Sequence, residues 1–125
     1  MDPNKLYKLF AYGTLRQGHG NHGFLRRATL IGRGTTVEPV ALAILGACGL
    51  PVAYPTSSGP VLTGELYELP LSQLDPIHTM ECMAGYEAKW HSVNLDTGEL
   101  HRAIIYVFNP GTRVCVVASG DYNQR

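Results

Sequence analysis

The chain has 125 residues, with ten lysines and arginines against ten aspartates and glutamates, so its formal charge at pH 7 is zero. This length predicts one domain covering residues 1–125. A neutral balance gives no net field to attract nucleic acid or an anionic membrane surface. No apolar run approaches the roughly 20 residues that a membrane-spanning helix needs. We therefore expect neither nucleic acid nor a membrane as a partner.

The cysteines and the N-terminal residues favour a cytoplasmic location. Cys48, Cys82 and Cys115 are too widely spaced for a CxxC metal pair, and their odd number does not suggest a disulfide framework. Free thiols are typical of a reducing cytosol. The segment Met1–Lys5 lacks the charged and then apolar layout of a signal peptide.

The first predicted strand, Leu6–Tyr12, is rich in aromatic and branched residues and ends at Gly13. The glycine allows a turn that other residues would resist. A strand that stops in this way presents successive backbone N–H groups, which can form an anion-binding nest. On spacing alone, an ordinary turn is the simpler explanation.

The middle of the chain predicts two strands and a long loop. Asn21 is placed to cap a short helix. A strand at Thr29–Val37 is interrupted by glycines, which indicate a bulge, and Val40–Leu45 reads as a buried strand. The segment Gly46–Pro60 has the glycines and prolines of a loop, and loops of this length are often functional. Within it, Tyr54 precedes a proline and is expected to be extended.

The second half of the chain predicts four more strands and two turns. Both faces of the strand predicted at Val61–Leu69 contain apolar and polar residues, so alternation does not show which face is buried. Another strand contains Ile104–Phe108, which has no polar face and should lie centrally in the sheet. The strands are Val61–Leu69, Trp90–Leu95, Leu100–Phe108 and Arg113–Val117; a hairpin turn is expected at Asp96–Glu99 and a second turn at Asn109–Gly111.

A helix is predicted between Asp75 and Gly85. Asp75 resembles a capping carboxylate with proline at the first helical position, and Gly85 is a typical stop. Four positions spaced i, i+3, i+4 and i+7 form one helical face, and three of them are apolar. These positions are Ile77, Met80, Glu81 and Ala84.

Glu81 is the residue on that face that needs an explanation. Burying a carboxylate without a partner is costly, and the usual response is a raised pKa. The pattern is also compatible with a glutamate that pairs with an arginine or keeps its head in water at the edge of the face. The sequence alone leaves both possibilities open.

Other candidate sites have weaker patterns. The histidines lack the spacing of a helical metal motif, and Gly18-His19-Gly20 lacks the ending of a phosphate-binding loop. Adjacent helix residues point about 100° apart, so we interpret Cys82 as a packing residue.

Five stretches resemble the gamma-glutamylcyclotransferase-like superfamily, in particular its AIG2-like branch, which includes gamma-glutamylamine cyclotransferases. They occur in the same order as in the family and cover nearly the whole chain. They are LFAYGTLRQG with the Asn21-His22 pair, GLPVAYP, VLTGELYEL, Leu74-Asp75 followed by Glu81, and the final ASGDY with Asp121 and Tyr122.

The resemblance implies an α+β fold, a small mixed β-barrel-like sheet with a few short helices. It also implies release of 5-oxoproline from a small gamma-glutamyl compound, with Glu81 as the general acid and base. The backbone at Gly13, Thr14 and Leu15 would bind substrate, and Tyr12, Tyr54 and Tyr86 complete the expected site. Asp121 and Tyr122 would serve the fold or the rim. The implied reaction requires no metal ion and no organic cofactor.

The chain departs from the family pattern next to Glu81. Cys82 stands where relatives commonly have glycine, and Tyr86 is offset from the family tyrosine by about one position. A protein that binds a small acid without turning it over therefore remains an alternative. So does an enzyme acting on a gamma-glutamylated biosynthetic intermediate. Neither the exact substrate nor the oligomeric state follows from the sequence.

Overall fold

The computed structural model describes residues 4–45, 50–108 and 114–124. Within these ranges the chain forms eight strands, one α-helix and two short 3₁₀ turns. The elements are β1 (Leu6–Ala11), a 3₁₀ turn (His22–Leu25), β2 (Thr29–Thr36), β3 (Val40–Leu45), β4 (Leu50–Pro55), β5 (Thr63–Pro70), α1 (Leu71–Met83), β6 (Glu87–Leu95), β7 (Leu100–Val107), β8 (Val114–Val116) and a 3₁₀ turn (Tyr122–Gln124).

Five of the strands form a closed barrel in the order β1-β5-β2-β6-β7, and the other three form a sheet in the order β4-β3-β8. Neighbouring strands in the barrel are antiparallel except β1 and β7, which are parallel and meet at Leu9 and Ile104. The predicted class, a small mixed β-barrel-like sheet with short helices, is confirmed. The predicted bulge is also present, between Leu30 and Gly32.

Strand β1 is buried on both faces because its alternate side chains belong to two different clusters. Leu9 packs in the cluster that contains Leu74 and Ile77 of α1. Phe10 packs in the other cluster, which draws residues from β5, β6 and β7. Strand β5 is buried in the same two-sided way, which explains why its sequence shows no single apolar face.

The predicted hairpin near the C-terminus is confirmed. Strands β6 and β7 pair along their length from Glu87↔Val107 to Asn94↔Leu100. Gly98 in the turn has φ +92°, a conformation that favours glycine. Strand β7 lies between β6 and β1, and its residues from Ala103 to Val107 are buried, as expected for a central strand.

The predicted start of the helix was wrong. Helix α1 begins at Leu71, after the extended Pro70, so Asp75 and Pro76 lie inside it. Pro76 lacks the N–H that would bond to the carbonyl four residues earlier, which costs one helical hydrogen bond. The earlier turn forms nevertheless, because it carries Leu74, which is completely buried in the core.

The prediction that all of Gly46–Pro60 is a loop was also wrong. Residues 50–55 form β4, which pairs antiparallel with β3 from Val40↔Pro55 to Leu45↔Leu50. Prolines are tolerated there because β4 is an edge strand of the three-stranded sheet. The extended backbone expected at Tyr54 is present. Residues 46–49 and the turn predicted at 109–111 lie outside the described residues.

Replacing Gly64 with alanine should destabilise the barrel where β1 meets β5. A Cβ at Gly64 would lie 2.5 Å from the Ala11 carbonyl oxygen and 2.8 Å from Phe10 Cε2. We expect a loss of about 1–3 kcal/mol in the free energy of unfolding, the usual range for overpacking. Gly20→Ala is the matched control, because no heavy atom lies within 4 Å of its added Cβ. Equal urea denaturation midpoints for the two variants would contradict this account.

Candidate active site

The turn that follows β1 has two carbonyl groups that accept backbone hydrogen bonds from residues further along the chain. The Arg16 N–H donates to the Gly13 carbonyl at 3.0 Å, and the Asn21 N–H donates to the Thr14 carbonyl at 2.9 Å. The Asn21 side chain does not cap the 3₁₀ turn but donates to Thr14 Oγ1 at 2.9 Å. Within the described residues, the backbone N–H groups of Gly13, Thr14 and Leu15 donate to no acceptor. The turn therefore has three adjacent donors to offer.

Gly13 is needed for space and not for an unusual backbone angle. Its φ is not positive, unlike that of Gly85 or Gly98. A Cβ at this position would lie 2.6 Å from Cγ of Pro51 in β4. Glycine is therefore required at this turn because a side chain would collide with Pro51, and not because the backbone needs a positive φ. The absence of a side chain lets β4 pack directly against the turn.

The end of α1 fixes Glu81 relative to Tyr86. Gly85 has φ +94° and stops the helix, as predicted. The Gly85 N–H donates to the Cys82 carbonyl at 3.1 Å and the Tyr86 N–H to the Glu81 carbonyl at 2.9 Å. This is the pair of bonds of a Schellman motif. The glutamate and the tyrosine are thereby joined through the backbone at one helix terminus.

The turn and the end of α1 face one another across a cavity of about 100 Å³. Its wall also includes Leu50 and Pro51 of β4 and Tyr106 of β7. Six of the seven predicted site residues line this cavity: Tyr12, Gly13, Thr14, Leu15, Glu81 and Tyr86. The seventh, Tyr54, lies instead along a separate groove with Trp90 and Phe108, so the structure does not bring it to the cavity.

Glu81 is partly buried and forms no ion pair within the described residues. Burial raises the pKa of its carboxyl group to about 7. A carboxylate in water is stabilised by solvent, and removing that solvent without supplying a cation favours the neutral form. A group with this pKa exists in both protonation states near neutral pH, so it can accept a proton and return it.

Two of the three tyrosines of the cavity wall, Tyr12 and Tyr86, use their hydroxyl groups to hold the backbone. Tyr12 donates to the Tyr106 carbonyl at 2.7 Å, and Tyr86 donates to the Pro51 carbonyl at 2.7 Å. Burial, followed by the charges of Tyr86 and Glu81, raises the pKa of Tyr12 well above its ordinary value. Both hydroxyls therefore fix the shape of the wall.

Tyr106 is a cavity residue that the sequence analysis missed. Its hydroxyl lies 3.0 Å from His78 Nδ1, and His78 Nε2 lies 3.5 Å from Cys82 Sγ. Burial and the charge of Glu81 raise the pKa of Tyr106. The prediction that Cys82 is a packing residue was wrong, because its side chain is exposed. The i, i+4 spacing of His78 and Cys82 in the sequence indicated that these two side chains would be neighbours on a helix. The contact of Tyr106 with His78 depends on the fold and has no local sequence signal.

Arg16, the next residue after the donors, was also missed. Its side chain is completely buried. Its Nη1 donates to Asp121 Oδ1 at 2.6 Å, and its Nε lies 3.8 Å from Glu65 Oε2. The expectation that Asp121 serves the fold or the rim can now be made specific: this carboxylate anchors the residue that ends the turn. Glu65, one of two glutamates in β5, was a possible signal for the buried cation.

Two further features of the described residues concern partners. They contain no group of three or more histidine, cysteine, aspartate or glutamate side chains arranged to hold a metal ion. No helix among them combines the length and the apolar character needed to cross a membrane.

Comparison with known proteins gives consistent results. Residues 9–124 match the family described as "Gamma-glutamyl cyclotransferase, AIG2-like". A Vibrio cholerae protein, provisionally named as a gamma-glutamylcyclotransferase, is 32% identical over 119 residues, which cover 94% of this chain and 96% of the relative. The mouse gamma-glutamylaminecyclotransferase is 35% identical over 86 residues, 63% of this chain. The matched part spans 58% of the mouse protein's length.

Solved structures share the fold. The crystal structure of a mouse AIG2-like protein superposes with a TM-score of 0.77 at 28% identity, covering 86% of this chain and 80% of that one. An uncharacterised Pyrococcus horikoshii protein gives a TM-score of 0.75 at 26% identity, with coverage of 94% and 90%. Together with the match over residues 9–124, these relationships show that the chain belongs to the gamma-glutamyl cyclotransferase, AIG2-like family.

Proposed function

We propose that the protein is a gamma-glutamyl cyclotransferase that converts a small gamma-glutamyl compound into 5-oxoproline and a free amine or amino acid. The observation that carries this proposal is the position of Glu81. Its partly buried carboxyl group, with a pKa of about 7, lines the same cavity as the backbone donors at Gly13, Thr14 and Leu15. The name of the mouse relative supports the same chemistry.

The reaction suits a small cavity because the substrate contains its own nucleophile. The α-amine of a gamma-glutamyl group lies within reach of the γ-carbonyl carbon, and the new N–C bond closes a five-membered ring. The bond from the γ-carbon to the departing amine then breaks. Intramolecular reactions of this kind can have effective molarities of about 10⁵–10⁸ M when the groups are well oriented. The protein's task is to fold the substrate and to move protons.

Glu81 has the properties required for both proton transfers. In its ionised form it removes a proton from the α-ammonium group, which makes the amine nucleophilic. The protonated carboxyl then donates to the departing nitrogen, which regenerates the carboxylate. The attacking nitrogen still carries one proton more than the ring nitrogen of 5-oxoproline, and this proton passes by way of the carboxylate to the released amine, which leaves as its ammonium ion, so the protons balance. General acid and base catalysis is most effective when the pKa lies near the working pH. The value of about 7 meets this condition.

The three backbone donors supply the complementary charge stabilisation. When the amine attacks, the γ-carbonyl oxygen becomes negatively charged, and N–H groups already directed at that position need no rearrangement. The same donors are also suited to the substrate's α-carboxylate. Tyr12 and Tyr86 act in this proposal as the wall that limits the substrate's size. Tyr54 lies outside the cavity and has no part in it.

Glu81→Gln should reduce turnover severely and leave the fold intact, because glutamine has nearly the same shape but cannot accept and return the proton. We expect kcat/KM to fall by about 10²–10⁴-fold, the usual contribution of general acid-base catalysis. Release of 5-oxoproline by mass spectrometry is the measurement, with gamma-glutamyl amines, dipeptides and glutathione as substrates. Glu87→Gln is the matched control, because Glu87 is exposed and lies outside the cavity.

Undiminished turnover in Glu81→Gln would contradict the mechanism. Tight binding of a gamma-glutamyl compound by calorimetry, with no 5-oxoproline from any substrate in the screen, would identify a binding protein and not an enzyme.

The activity should also fall as the pH is lowered below neutrality. The base must be ionised to accept a proton, so kcat/KM should fall about tenfold per pH unit below the pKa of about 7. The measurement is the pH profile of 5-oxoproline release under kcat/KM conditions. A profile that stays flat down to about pH 4, the ordinary range of a glutamate, would contradict a buried general base.

The ionisation of Glu81 can be tested without a substrate. The folded pKa lies above the ordinary value of 4.5, so folding favours the protonated form. The resulting stabilisation is fully present below pH 4.5 and is lost as the pH rises to about 7. The wild-type protein should therefore lose stability relative to Glu81→Gln over this interval in urea denaturation. A difference between the wild type and Glu81→Gln that does not change with pH over this interval would count against the raised pKa.

A further inference from the structure

The ion pair between Arg16 and Asp121 lies directly behind the donor turn. We propose that these two residues are positioning residues: their buried contact holds the N–H groups of Gly13, Thr14 and Leu15 in the geometry that faces the cavity. This inference rests on the proposed function, because it assigns those donors to the substrate. It adds a role for two residues that do not line the cavity.

The ion pair is a costly arrangement, which suggests that it is retained for more than stability. The Arg16 side chain is completely buried, yet Nε and Nη2 have no hydrogen-bond partner among the described residues. Its contacts are the 2.6 Å bond from Nη1 to Asp121 and the 3.8 Å approach of Nε to Glu65. Transferring a cation from water into the protein interior costs more free energy than so few contacts recover. Buried ion pairs are therefore weak contributors to stability.

The connection to the donors runs through the backbone of Arg16 itself. Its N–H closes the turn by donating to the Gly13 carbonyl at 3.0 Å. The next N–H, that of Gln17, donates to Glu65 Oε1 at 3.0 Å. The chain is therefore tied at two successive residues immediately after the three donors. At the other end, Gly13 is packed against Pro51, so the turn is held from both sides.

Asp121 is itself held firmly enough to act as an anchor. The Asn123 N–H donates to Asp121 Oδ1 at 2.9 Å, and the Asp121 N–H donates to Ser119 Oγ at 3.2 Å. The preceding Gly120 has φ +69°, and its carbonyl accepts from the Thr63 N–H of β5 at 2.8 Å. Burial raises the pKa of Asp121, but the hydrogen bonds from Arg16 and Asn123 outweigh it and hold that pKa below its ordinary value.

The test is Asp121→Asn, which keeps the size and an acceptor oxygen but removes the charge that fixes Arg16. We expect kcat/KM for 5-oxoproline release to fall by about tenfold or more, part of the 10²–10³ that one oxyanion donor contributes. Val93→Ala is the matched control, because Val93 is completely buried, does not line the cavity and carries no polar group that could bind Arg16. Both variants are assayed at a temperature where both are fully folded.

A loss shared equally by the control would overturn the proposal, since it would reflect stability alone. A loss confined to Asp121→Asn supports it. The way in which this loss is divided between kcat and KM then shows what the donors bind. A lower kcat at constant KM indicates the oxyanion, and a higher KM indicates the substrate carboxylate.

A second measurement separates this proposal from the proposed function. Amide hydrogen exchange at Arg16 and Gln17, whose N–H groups tie the end of the turn to the Gly13 carbonyl and to Glu65 Oε1, should become faster in Asp121→Asn than in the wild type and Val93→Ala. Unchanged exchange overturns the positioning role even if the enzyme is active. Faster exchange supports it even if the wild type releases no 5-oxoproline, a result that counts only against the proposed function. If Asp121→Asn does not fold, Arg16→Met combined with Asp121→Leu removes both charges at similar volume and is measured in the same way.

Discussion

Strand β1 is the constraint on which the barrel and the site both depend. It pairs with β5 along its whole length, and its parallel contact with β7 at Leu9 closes the barrel. Its side chains are buried on both faces, so it can neither slide nor rotate without exposing one of two apolar clusters. Whatever follows Ala11 therefore begins at a fixed point. The donor turn is the segment that follows, and its position is set by a strand that is buried on both faces.

The helix meets this fixed point because of its own packing. Leu74 and Ile77 are completely buried against β1 and its neighbours, and the helical repeat then directs Glu81 to the end of that buried face. The packing of its apolar neighbours thus holds the Glu81 carboxylate in a partly buried position. The raised pKa is the cost of that position, and the fold tolerates it because the packing of the same helix offsets it.

The features that could be predicted from the sequence are those with local causes. The face carrying Ile77 and Glu81 follows from the helical repeat, and the stop at Gly85 follows from the preference of glycine for a positive φ. The helix start was missed because the Asp75-Pro76 signal is local, whereas the burial of Leu74 that overrides it is tertiary. Strand β4 was missed for a similar reason, since its prolines resemble a loop until β3 is seen beside it.

The contact between Arg16 and Asp121 could not be predicted from local patterns at all. The two residues are 105 positions apart, and Arg16 stands in a glycine-rich segment with the composition of an exposed loop. Nothing in its neighbourhood indicates complete burial. The fold brings the C-terminal segment back to β5, and this return supplies the anion. The tie at Gly120 and Thr63 shows how that return is secured.

The distribution of charge explains why the pKa of Glu81 is raised while that of Asp121 is lowered. Arg16 is the buried cation behind the turn, and its contacts are with Asp121 and Glu65. It holds the pKa of Asp121 below its ordinary value, while burial without a cation raises that of Glu81. The pKa values of these two carboxyl groups are thereby moved in opposite directions. Such a difference distinguishes structural from reactive groups in active sites. Asp121 stays ionised and anchors the turn. Glu81, left without a cation, is the group that can exchange a proton at neutral pH.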